Sequence, residues 1–219
     1  MKSHIGKFLV LLGFAMLISA AALCVHNIQE GRNAGAFAQT AVSAIKQNLP
    51  EKTEEPVQTK VTTIPEDLFA PYETTVTTAE TTAEIVIDGR AYCGYLLIPV
   101  LGLELPVRSN WSYPALKESP CCVSGSAQTR DMVIAAHNYP AHFGRIGTLG
   151  SGDQIVFTDA DNNRYSYSVA YIEIIAGTAP EQMFSGQNEE WDLTLFTCTL
   201  GGQNRVTIRA NMTADDSKT

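Results

Sequence analysis

The sequence predicts a mainly β domain, seven or eight short strands closed into a barrel, carried behind an N-terminal membrane helix and a spacer. Three observations predict it. Apolar stretches of strand length recur beyond Ala83 between clusters of Gly, Pro, Asn and Asp. An uncharged apolar run fills the first tenth of the chain, and a Thr- and Pro-rich stretch without apolar periodicity separates the two. The 219 residues, 45% hydrophobic, suffice for one well-packed domain and an extension. A formal charge of −8, with only 15 Lys and Arg thinly spread, excludes a surface built to hold phosphate backbones, so nucleic acid is not an expected partner.

Lys2 and Lys7 precede 18 uncharged residues from Phe8 to Val25, close to the shortest bilayer span of roughly 17 residues. The run reads as a retained anchor. A cleaved signal is the competing reading, because Ser19-Ala20-Ala21 and Ala20-Ala21-Ala22 offer small residues for cleavage. Leu23 stands where a lipidation motif wants a small residue before Cys24. The leading lysines place the N-terminus inside and the remainder outside the cell. Residues 1–26 are thus cytoplasmic tip and membrane anchor. From Asn27 to about Gln47 a helical pattern continues as a stalk, closed by Pro50. Up to residue 83, four of the ten prolines and ten threonines make an extended spacer expected to lift the domain off the membrane. Residues 84–212 form the barrel and 213–219 a polar tail.

Strands are expected at Ile85–Ile87, Tyr95–Ile98, Met132–Ala136, Ile155–Phe157, Tyr165–Ile175, Leu193–Thr197 and Val206–Ile208. Strict alternation from Arg164 puts Tyr165, Tyr167, Val169 and Tyr171 on one face. Asp159 to Asn163 reads as a hairpin turn, since it lacks the glycine and distal glutamate of a calcium loop. Five cysteines is an odd number for an exported chain. Cys93 could pair with Cys121 or Cys122, and small buried thiols explain all three equally well.

The chemistry centres on Thr194-Leu195-Phe196-Thr197-Cys198, a β-rich run ending in a cysteine before turn-forming Thr199-Leu200-Gly201-Gly202. A cysteine at a strand exit is held by rigid structure yet accessible, as a nucleophile must be. His137 ends another apolar strand, 61 residues earlier, so only folding can bring the two together. Arg205 follows the Gly-Gly turn, and period two places Arg205, Thr207 and Arg209 on one face, so either arginine could reach the site.

Thr-Leu-x-Thr-Cys at 194–198 with Arg-Val-Thr-Ile at 205–208 resembles the signature of sortases. The resemblance extends through Gly94 to Pro99, Leu105-Pro106-Val107, Ala136-His137-Asn138, and Phe143-Gly144-Arg145-Ile146 with Leu149, Gly152 and Asp153, in the family's order. It covers roughly Ile85 to Met212, with class B and class D as the nearest subgroups. It implies an eight-stranded barrel and a cysteine transpeptidase cutting a Leu-Pro-x-Thr-Gly-like sorting signal. Cys198 would be the nucleophile, His137 the general acid/base and Arg205 the oxyanion partner, since Arg209 falls where the family has an apolar residue. The implied partners are sorting-signal-bearing surface proteins or pilins and an amine acceptor, either a cell-wall peptide precursor or a pilin lysine. Thr197, Met183 and Phe184 would bind substrate, the last two within Ala176–Asp192, the segment matching the family's substrate-reading loop.

No cofactor is implied. His142, five residues past His137, suggests a metal pair but lacks further ligands. A papain-like hydrolase would carry its cysteine before its histidine, the reverse of the order here. A non-catalytic cell-surface β module fits the anchor and spacer, and convergence of Cys198, His137 and Arg205 discriminates against it.

Overall fold

The structure is a computed structural model and describes residues 2–50, 83–184 and 190–215. The Thr- and Pro-rich spacer and the last residues of the polar tail lie outside the described residues. A single helix, α1 (Lys2–Asn48), carries both the apolar run and the expected stalk without interruption. Residues 6–29 of it are exposed, and its 18-residue apolar window is long enough to cross a membrane.

The strands are β1 (Ile85–Ile87), β2 (Arg90–Ile98), β3 (Leu103–Arg108), β4 (Cys121–Ser124), β5 (Met132–Ala135), β6 (Gln154–Asp159), β7 (Arg164–Ala176), β8 (Leu193–Cys198) and β9 (Asn204–Asp215), with a short helix α2 (Tyr113–Glu118) before β4. Their order is β1-β2-β3-β4-β5-β8-β9-β7-β6, and a further β2–β6 pairing closes β2 through β9 into an eight-stranded barrel, leaving β1 as an added hairpin arm. The closure passes through Gly94, at φ 151°, where a Cβ would lie 2.0 Å from the Thr158 carbonyl oxygen. Only glycine lets the two backbones approach so closely. Most pairs are antiparallel, but β5 runs parallel to β8. Leu96, Ile134, Phe143, Ile155, Leu195 and Ile208 fill the interior.

Two sequence expectations change. Tyr165, Tyr167 and Val169 are buried together, but Tyr171 is 43% exposed. A register shift between Val169 and Tyr171 supplies the extra residue that rotates it off the shared face. The barrel also meets the chain earlier than the spacer: Ala34, Ala38, Ala41, Val42 and Ile45 form a buried stripe on α1. Ala38 joins the barrel core, while Ala41 and Ile45 pack with Ile85, Tyr92 and Ala160. The barrel therefore sits directly on the second half of the helix. The hairpin reading of 159–163 agrees with the geometry: the Asp159 carboxylate accepts from the Asp161 and Asn163 amides, and Asn162 takes a left-handed φ of 63°.

Candidate active site

Parallel pairing of β5 and β8 sends both strand ends to one rim of the barrel. Cys198 is the last residue of β8, and His137 stands two residues beyond β5. The join is locked twice: the Ala136 amide donates to the Phe196 carbonyl (3.2 Å), and the Thr197 hydroxyl donates to the Ala136 carbonyl (2.8 Å). Thr197 is buried and its hydroxyl is engaged in this bond, so its observed part is to hold the histidine strand beside the cysteine strand.

Cys198 lies directly opposite Arg205 in the β8–β9 register. Opposed residues share a face, so the thiol and the guanidinium occupy the same side of the hairpin. Both are half-buried. The Arg205 Nη1 donates to the carbonyls of Gly202 (2.9 Å) and Asn204 (3.1 Å), which holds the side chain against the turn following the cysteine. A left-handed glycine, Gly202 at φ 70°, makes that turn.

Strand period also puts Arg209 on this face, opposite Thr194, but its surroundings differ. Arg209 is 1% exposed. Its Nε donates to Glu173 (2.7 Å), its Nη1 to the Thr194 hydroxyl and the Met183 carbonyl (2.8 Å each), and its Nη2 to the Gln182 carbonyl (2.5 Å). The Trp191 ring lies 4.3 Å from the guanidinium carbon. Arg209 thus fastens the β7–β8 segment to the sheet, with four of its five N–H donors engaged inside the protein. Within that segment Met183 is buried and Phe184 half-buried, and residues 185–189 lie outside the described residues.

His137 is half-buried, and burial pulls its imidazole below the usual value. Lys117 pulls the same way and Glu30 opposes. Its ring lies 5.1 Å from that of Tyr139, tilted by 31°. His142 is fully buried, its imidazole lying against the backbone of Ala34 and Glu118. Burial, and then the charge of His137, push it down to about 4. It is sealed from the site, and no metal-binding cluster of His, Cys, Asp or Glu occurs among the described residues.

The geometry also chooses between the possible thiol partners. Cys93 and Cys122 line one cavity, where their interaction raises Cys93 and lowers Cys122. The thiols themselves donate to backbone carbonyls, Cys93 to Val107 (3.5 Å) and Cys122 to Ser124 (3.6 Å) and Gly125 (3.5 Å). Cys121 is buried apart from them, its thiol raised to about 11 by burial, and all five cysteines are free. Sequence reasoning missed Tyr139, Glu30, Glu173 and the anchoring part of Arg209. An aromatic two residues after a candidate histidine was the one available signal for the first of these.

A family model described as the sortase domain matches residues 96–213. The chain belongs to the sortase family. Sortases are cysteine transpeptidases of the cell surface, and the apolar helix α1 accords with such a location. Among solved structures, sortase C1 from Streptococcus agalactiae matches with a TM-score of 0.51 and 23% identity, over 60% of this chain and 72% of that one. A lid mutant of sortase A from Corynebacterium diphtheriae matches with a TM-score of 0.50 and 19% identity, over 57% and 72%. At these identities the likeness establishes the shared barrel and leaves the subgroup open. No curated protein matches the chain.

Proposed function

We propose that this sortase cleaves a Leu-Pro-x-Thr-Gly-like sorting signal and transfers the upstream protein to an amine of a cell-wall precursor or a pilin. The observation that carries the reading is the Cys198–Arg205 opposition on the rim that also holds His137. The Cys198 thiolate attacks the threonine carbonyl, and the developing oxyanion is stabilised by the Arg205 guanidinium. The tetrahedral intermediate collapses to a thioester as protonated His137 gives its proton to the departing glycine amine. An incoming amine then attacks the thioester, its surplus proton returns to His137, and the Cys198 thiolate is released. Phe184, half-buried at the edge of the segment fastened by Arg209, contacts the apolar part of the signal.

The test is to incubate the full chain in detergent with a library of sorting-signal peptides and seek an acyl adduct on Cys198 by mass spectrometry. An adduct that disappears in Cys198→Ala and turns over on addition of an amine supports the reading. No adduct with any peptide, or one that persists in Cys198→Ala, overturns it.

A further inference from the structure

The apolar helix does more than hold the barrel beside a membrane. Tyr139 sits between two imidazoles, 5.1 Å from the His137 ring and 5.7 Å from the His142 ring. Its own hydroxyl donates to Oε2 of Glu30 on α1 at 3.4 Å, across 109 residues of sequence. The other Glu30 oxygen lies 3.6 Å from His26, one turn earlier on the same helix. The seam between helix and loop is tight. A Cβ at Gly31 would lie 3.8 Å from the Tyr139 side chain, and one at Gly35 would come within 2.9 Å of the Ala141 Cβ. The loop itself is wound closely, with the His142 and Gly144 amides both donating to the Tyr139 carbonyl, and a Cβ at Gly144 would lie 2.5 Å from the Asn138 carbonyl oxygen.

We propose that Glu30 and Tyr139 are positioning residues for His137: the carboxylate on α1 fixes the phenol, and the phenol ring fixes the imidazole. The inference rests on the reading of His137 as the general acid. A proton donor must meet its leaving group within a few tenths of an ångström and in a set orientation. An imidazole at the mouth of a loop has free rotation unless something packs on its face. Tyr139 supplies that surface, and Glu30 keeps Tyr139 from swinging outward.

The carboxylate also enters the charge balance around His137. Lys117 on α2 disfavours the imidazolium, and His142 on the same loop is itself held neutral by burial. Arg205 stands on the neighbouring β9 rim opposite Cys198. Glu30 is the negative group opposing Lys117 there. Removing it therefore lowers the pH at which His137 gains its proton.

The experiment uses the full chain in detergent, with Glu30→Gln, Tyr139→Phe, the double variant and His137→Ala, each checked for folding by circular dichroism. Two quantities are read: the His137 titration by NMR of labelled imidazoles, assigned with His137→Ala, and the transfer rate with a peptide that acylates Cys198. Glu30→Gln is expected to move the His137 titration to lower pH and to reduce kcat about tenfold with KM little changed. Tyr139→Phe keeps the ring but loses the bond to Glu30, so it should act in the same direction. The double variant should be no worse than the poorer single one, as for residues acting as a unit. If Glu30→Gln leaves both titration and kcat at wild-type values while His137→Ala is inactive, the positioning inference fails and the active-site reading stands. If His137→Ala transfers at the wild-type rate, the active-site reading fails, and this inference with it. Should Tyr139→Phe not fold, Glu30→Gln alone decides.

Discussion

Arg205 and Arg209 share a strand face, yet one is half-buried at the rim and the other is enclosed by four hydrogen-bond partners. Their substitution should separate activity from stability. Arg205→Ala is expected to cost about 10²–10³-fold in kcat, as for loss of one oxyanion donor, with an unchanged melting temperature. Arg209→Ala leaves the buried Thr194 hydroxyl and two loop carbonyls without their donor and should destabilise by about 1–3 kcal/mol, the range for orphaned buried polar groups. Thermal unfolding alongside transfer kinetics checks both. Strand periodicity could not separate these two, because period two gives only the face of a strand, and the family resemblance alone favoured Arg205; the enclosure of Arg209 comes from a segment that precedes β8 in the chain and folds back over the sheet. The place of Cys198 at the exit of a strand, by contrast, is legible from the run that precedes it.

His142 gives the residue-scale pH prediction. The unfolded imidazole takes up its proton near pH 6.5, the folded one only at about 4. Between those values the unfolded chain binds more protons, so stability is full above the upper value and falls as pH drops through the window, by on the order of 3 kcal/mol. Denaturant melts of wild type and His142→Leu between pH 7 and 4 check this, and the substitution should flatten the curve. If the two proteins lose stability in parallel, another group is responsible.

At the scale of elements, α1 and the barrel strands were legible to different degrees. The helix was readable in two pieces, an apolar run and a stalk, because both show helical texture and nothing between them breaks it. Its docking was not readable, since a stripe of alanines with one valine and one isoleucine is too weakly amphipathic to point to a partner. β4 escaped detection because Cys121-Cys122-Val123-Ser124 holds one β-branched apolar residue and is hemmed between Pro120 and Gly125. Period-two reasoning ran correctly along β7 until the bulge, which leaves no local sequence sign. If the α1 seam carries the stability these contacts imply, Ile45→Ala, at a site with no exposure, should cost about 2–5 kcal/mol. Gly35→Leu should cost about 1–3 kcal/mol by overpacking against Ala141. Ser43→Ala, on the exposed side of the helix, should lie within about 0.5 kcal/mol of wild type. Chemical denaturation of the three variants tests the ordering.

For the whole molecule, closure between β2 and β6 abolishes free sheet edges around the barrel, and the number of strands in it matches the count suggested by spacing alone. What spacing could not give was order. The parallel β5–β8 contact joins segments some sixty residues apart, and it is this contact that assembles the rim. A chain shortened to residues 84–219 uncovers Ile85, Tyr92 and Ala160, which α1 otherwise shields. It should melt well below a chain beginning at Asn27 and bind more of a hydrophobic dye. Equal melting temperatures would mean that the helix contributes nothing to the fold.

The unbroken course of α1 has a consequence for reach. With Phe8–Val25 in a bilayer, Glu30 follows only five positions later on the same helix, roughly 7.5 Å at about 1.5 Å per residue. Through Tyr139 that point touches the rim of the barrel. A flexible leash would let the domain sweep a hemisphere, whereas a rigid mast fixes its altitude at the lipid headgroups. On the proposed function, a sorting signal would then be selected by the height at which its scissile bond emerges as well as by its sequence.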